Sequence, residues 1–183
     1  MTRDAFFAWA QARDGRYEFD GFHPVAITGG TRDHARIALN VAFALISRLR
    51  GSPCEALAQD AGVATIGDAV RYPDVLVTCT WGRGSDRLIP GVVAVFEVLS
   101  PTSGRTDRID KLREYQAVPS IRRYVILEYR SPAVTVFHRD AGTQAWTADA
   151  LVAEDRLPLP EIGLSIPVAA FFEGVDFGAT DAA

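Results

Sequence analysis

Three side chains of types that can hydrolyse a phosphodiester are spaced along the middle of the chain: Asp74, Glu97 and Lys111. Glu97 interrupts Gly91-Val92-Val93-Ala94-Val95-Phe96-Glu97-Val98-Leu99, which reads as a strand buried on both faces. An ionised carboxylate in such a strand costs several kcal/mol unless a cation, a metal or several donors stabilise it. The plainer reading puts Glu97 near the strand end, touching water and paired with an arginine. Asp74 lies in Tyr72-Pro73-Asp74-Val75-Leu76-Val77, where proline fixes the start of a strand and the acid precedes the apolar run. Alone it reads as a turn or strand-end residue. If the two strands are neighbours, both acids can converge on one hard divalent cation, because magnesium is held by one or two carboxylates plus water and phosphate oxygens.

Lys111 stands out by composition. Of nineteen basic side chains, eighteen are arginine and one is lysine. A chain that uses arginine wherever charge suffices keeps lysine for work that guanidinium cannot do. An ammonium is a compact point charge whose pKa can move, suited to orienting water or stabilising a phosphorane-like transition state. At helical spacing Asp107, Lys111 and Tyr115 form one stripe, with Asp110, Arg113, Glu114 and Ala117 expected on the solvent side. A surface ion pair between Asp107 and Lys111, worth a few tenths of a kcal/mol, is the competing reading.

The elements that must hold these residues follow from periodicity and turn chemistry. A helix is expected over Arg3–Ala12, then a hairpin over Arg16–Ile27 turning at Asp20-Gly21. A long helix over Asp33–Arg50 repeats Ile37, Val41, Leu45 and Leu49 and stops at Gly51. Strands are expected around Val63–Ile66, Arg71–Cys79 and Val92–Leu99, a helix over Asp107–Val118, then strands over Arg123–Tyr129, Ala133–His138 and Gln144–Thr147. A short helix follows Pro167. This order indicates a mixed α+β (α/β) domain with a central mixed sheet flanked by helices. One domain spans 1–175, and a Gly/Ala-rich tail, 176–183, frays.

Composition sets outer limits. The formal net charge is −4, against the basic excess of proteins that coat nucleic acid, although basic residues bunch locally between Arg105 and Arg130. No apolar run approaches a membrane span and the start lacks a secretory signal's apolar region, so the chain reads as cytoplasmic. The two cysteines, Cys54 and Cys79, are expected as separate buried packing residues. His23 and His138 have no evident partners and receive no role.

The chain resembles the Uma-type family of restriction-endonuclease-like proteins, a branch of the PD-(D/E)XK superfamily. The likeness runs from Tyr17-Glu18 and Asp20-Gly21, through Asp33-His34-Ala35-Arg36-Ile37, to Pro73-Asp74-Val75. Its most specific block is Phe96-Glu97-Val98-Leu99-Ser100-Pro101-Thr102-Ser103, followed by Asp107, Lys111 and Tyr115, then Arg123-Tyr124-Val125-Ile126-Leu127-Glu128. The resemblance implies a restriction-endonuclease-like fold, Asp74 and Glu97 as ligands of Mg2+ or Mn2+, and Lys111 as base or electrostatic partner. It makes Glu18, His34, Ser100, Asp107 and Tyr115 candidates for supporting roles, and implies DNA as substrate and a homodimer. Two departures stand out. The superfamily's usual lysine, two residues after the acid, would fall at Leu99, so Lys111 must come from the following helix. The Tyr17-Glu18-Phe19-Asp20-Gly21 segment is one residue shorter than usual, with Phe22 where an acid often stands.

Two functions compete. A metal-dependent endonuclease explains two acids beside a lysine. A non-catalytic nucleic-acid- or protein-binding module on the same fold explains the displaced lysine and the acidic balance.

Overall fold

Thr2 caps the first helix, α1 (Arg3–Gln11), its hydroxyl accepting from the Ala5 N–H at 3.3 Å. Strands β1 (Tyr17–Phe19) and β2 (Pro24–Ala26) form the expected hairpin. Asp20 closes it by accepting from the N–H groups of Phe22 and His23, while Gly21 supplies a φ of +93°. Helix α2 (Arg32–Leu49) is capped by Thr31, buries Ile37, Val41, Leu45 and Leu49, and gives way at Gly51, φ +77°. Then come β3 (Glu55–Ala58), β4 (Val63–Ala64), β5 (Val70–Arg71), β6 (Val75–Thr78) and β7 (Val92–Val98). A π-helical turn (Thr106–Lys111) runs into α3 (Leu112–Ala117), followed by β8 (Arg123–Leu127), β9 (Ala133–Arg139), β10 (Trp146–Val152), β11 (Arg156–Leu159) and β12 (Leu164–Pro167). The computed structural model describes residues 1–100 and 106–178, the side chains of residues 106 and 107 excepted. Pro101, Thr102, Ser103, Arg105, the Asp107 carboxylate and the end of the expected tail lie outside what is described.

The main sheet has six strands in the order β10-β9-β8-β7-β6-β3, and only β7 and β8 run parallel. The segment between those two strands carries Lys111, as a parallel connection requires a crossover. Alternation along the strands builds two cores. Val75, Val77, Ala94, Phe96 and Val98 pack under α2, whereas Leu76, Val95 and Leu99 pack under Tyr115, Ile121 and Tyr124 on the opposite face. A small four-stranded sheet, β2-β1-β5-β4, packs Phe19 and Val70 against Phe6 of α1. This is the mixed α+β architecture expected. Among the described residues, no helix is long and apolar enough to cross a membrane.

Several expectations are corrected. The strand expected over Arg71–Cys79 is two strands in different sheets, β5 and β6, because Pro73 offers no N–H to a ladder and Tyr72-Pro73-Asp74 turns the chain between them. The helix expected from Asp107 opens as a π-turn and becomes α-helical only at Leu112. The helix after Pro167 is a single 3-10 turn. Strands β3, β11 and β12 were not foreseen, and β10 is longer and starts later than expected. Cys54 and Cys79 are not separate thiols. They flank the Glu55–Thr78 pair of β3 and β6, which brings them opposite each other, and they form a disulfide. His138 does have a partner: Asp149, on the adjacent strand β10, 2.8 Å from its Nε2.

Candidate active site

β7 carries Glu97 into the centre of the sheet, on the face that also bears Val95 and Leu99. β6 runs antiparallel beside it with Val75 paired to Phe96. Asp74 and Glu97 are the next residues along their chains, so they occupy facing positions of the two strands, with the Glu97 side chain on the face of α3. The strands are neighbours, as the two-acid reading required. Because β6 starts only after Pro73, the Asp74 side chain substitutes for a ladder acceptor: its Oδ2 accepts from the Val98 N–H at 2.7 Å. His34, in the first turn of α2, comes within 3.4 Å of the same oxygen through Nε2. Asp74 Oδ1 has no hydrogen-bond partner among the described residues.

Lys111 faces these acids from the end of the π-turn. Its Nζ lies 2.9 Å from Glu97 Oε1 and 3.4 Å from Glu18 Oε1. The Tyr115 hydroxyl, one turn further on, donates to the same Glu97 oxygen at 3.0 Å. Burial raises the Tyr115 phenol well above its ordinary pKa, and the Glu97 carboxylate adds to the effect, so this hydroxyl stays a donor. Glu18, on β1, also accepts from the Tyr72 N–H at 3.0 Å.

Two residues that sequence reasoning missed complete the cluster. Arg71, on β5, donates from Nε and Nη2 to the two oxygens of Glu114 at 2.8 and 2.6 Å, and its Nη1 lies 3.2 Å from Glu18 Oε2. Burial by itself would lower the Arg71 pKa. The hydrogen bonds to Glu114, then the charge of Glu18, reverse this and hold the guanidinium firmly protonated. Glu114, expected on the solvent side, is instead buried and accepts also from the Thr65 hydroxyl at 2.8 Å. Helical spacing put Glu114 on the solvent side and gave no signal of its burial, whereas an arginine directly following the apolar Ala69-Val70 pair was the one local hint of a buried cation. Glu18, Arg71, Glu97, Lys111 and Glu114 are each no more than 8% exposed.

The structure thus brings together Asp74, Glu97, Lys111, Glu18, His34 and Tyr115. Ser100 lies just past the end of β7, partly buried. Of the basic bunch between Arg105 and Arg130, Lys111 and Arg123 are buried in ion pairs with Glu97 and Glu18 and with Glu161, Arg108 pairs with Glu128 at the surface, and Arg113 and Arg130 are exposed.

The donor set suits a divalent cation. Glu18, Asp74, Glu97 and Glu114 bring four carboxylates against two fixed cations, Arg71 and Lys111. Among these described residues carboxylates outnumber the fixed cations four to two. Among those residues no three His, Cys, Asp or Glu side chains form a complete metal cage. Two facing carboxylates completed by water and phosphate oxygens are the form in which magnesium is ordinarily held.

Comparison with known proteins places the chain in a family. The chain is 27% identical over 179 residues to the uncharacterized protein slr1290 of Synechocystis sp., covering 97% of this chain and 94% of that protein. Its fold is similar to the crystal structure of a protein from Anabaena variabilis described as "a putative nuclease belonging to DUF820". The TM-score is 0.72 at 15% identity, over 94% of this chain and 97% of that one. Residues 3–169 match the family Uma2, described as "Putative restriction endonuclease", and with nearly the whole chain covered the protein belongs to that family.

Proposed function

We propose that the protein is a metal-dependent endonuclease that hydrolyses DNA phosphodiester bonds. The observation that carries this reading is the meeting of Asp74 and Glu97 across adjacent strands, with the chain's single lysine amine 2.9 Å from Glu97 Oε1. Asp74 and Glu97 would hold Mg2+ or Mn2+, which when bound activates water and neutralises phosphate charge. The Val98 N–H orients Asp74 through Oδ2 and leaves Oδ1 for the cation. Lys111 and Tyr115 orient Glu97 through Oε1. Lys111, ion-paired as an ammonium, acts as a positive charge toward the scissile phosphate. His34, at the capped start of α2, contacts Asp74 through Nε2 and would help to orient it.

The reading includes a cytoplasmic location, where a reducing compartment would keep the Cys54–Cys79 bridge open, and a homodimer, because small assemblies of one chain most often use two-fold symmetry. Light scattering at micromolar concentration should give the dimer mass; a monomer mass rejects that part. The enzymatic part is tested by incubating the protein with single-stranded, duplex and branched DNA in magnesium or manganese, with Glu97→Ala as the control for contaminating activity.

A further inference from the structure

In this chain the amine that faces Glu97 comes from a residue fourteen positions later. A lysine two residues along the same strand would be fixed by the sheet. Lys111 sits where a π-turn meets a short helix, and its position depends on whatever anchors that helix. The small sheet supplies the anchor. Arg71 of β5 grips both oxygens of Glu114, which stands three residues after Lys111 on α3. Its remaining nitrogen lies 3.2 Å from Glu18, whose other oxygen lies 3.4 Å from the Lys111 amine. One guanidinium therefore reaches Lys111 by two routes, through the helix backbone and through the amine's own carboxylate neighbour. Only arginine's planar fork can serve both acids at once.

We propose that Arg71, acting with Glu114, is a positioning residue that holds the Lys111 amine against Glu97, so that the small sheet takes over the role the strand plays for a lysine beside the acid. The inference rests on the nuclease reading for its purpose, and its test reads the amine directly.

Because the chain has one lysine, incorporation of lysine labelled with 13C at Cε and 15N at Nζ gives a single NMR signal that needs no assignment. The signal is followed in wild type and in Arg71→Met/Glu114→Gln, which removes a cation and a carboxylate together and so keeps the net charge, leaving Glu18 with the Lys111 amine and the Tyr72 N–H. Arg123→Met/Glu161→Gln, at the buried ion pair away from the site, controls for general loosening. The site variant should exchange its amine hydrogens roughly tenfold or more faster than wild type, as expected when charge-assisted hydrogen bonds are lost. The control should stay within about threefold of wild type, too small a change for a lost bond of that kind. In cleavage assays the site variant should lose kcat with KM little changed. Wild-type amine exchange in the site variant, or equal acceleration in the control, overturns the proposal. If the double variant does not fold, Glu114→Gln, which keeps the shape, is read by the same signal and the same criteria. Should wild type cleave no DNA, the nuclease reading falls, while the lysine signal still decides this inference.

Discussion

The Tyr115 hydroxyl donates to Glu97 Oε1 at 3.0 Å from a fully buried position. Tyr115→Phe should therefore lower stability by about 1.5–3 kcal/mol, the range for a hydrogen bond to a charged group, in urea unfolding at neutral pH. The pH dependence has a definite sign. The folded phenol titrates above the ordinary value of 10.0, so above about pH 10 the unfolded chain releases a proton that the folded state keeps. This contribution is fully present below that pH and is lost as the pH rises through the folded value. Wild type should lose stability more steeply than Tyr115→Phe above pH ~10, and parallel curves would show that the phenol is not held as described.

Magnesium or manganese should raise the Tm of wild type, since a ligand that binds only the native state stabilises it by mass action. Asp74→Asn and Glu97→Gln keep the shapes of the two acids and should abolish the shift. Differential scanning fluorimetry with a metal titration measures this. Equal shifts in all three proteins would move the metal elsewhere.

The Cys54–Cys79 disulfide closes a loop with a sequence separation of 25. Chain-entropy arguments give such a crosslink about 3.5 kcal/mol of stability. Cys54→Ser/Cys79→Ser should lose about that much in chemical unfolding, with metal binding unchanged because the bridge flanks the far ends of β3 and β6 from Asp74. A variant as stable as wild type would mean that the bridge does not constrain the chain.

Much of the site was legible because its residues violate local expectation. Glu97 is an acid inside an apolar strand, and Lys111 is one lysine among arginines, so each announced itself. The core of α2 was equally readable, since Ile37, Val41, Leu45 and Leu49 repeat at helical spacing and all four are buried. Arg71 and Glu114 were hidden for the opposite reason. A charged residue on a helix is ordinarily solvated, and nothing local shows that an arginine 43 positions earlier will be buried against it. The split of β5 from β6 was signalled by Pro73, but which sheet each piece joins depends on non-local pairing. The disulfide was missed for the same reason: β3, whose pairing with β6 aligns the cysteines, has no alternating pattern of its own.

The central claim is that Asp74, Glu97 and Lys111 cut DNA with a divalent metal, and single-turnover cleavage at saturating metal and DNA tests it most directly. Wild type, Glu97→Gln and Lys111→Arg are compared on the DNA form that wild type cleaves best. Losing a metal-holding acid or an electrostatic group should slow cleavage by roughly two or more orders of magnitude. Lys111→Arg should do so while keeping the metal-induced rise in Tm, because it leaves Asp74 and Glu97 in place. Absence of cleavage by wild type on every DNA form, or rates in both variants within about threefold of wild type, far below the loss expected for such groups, would contradict the account.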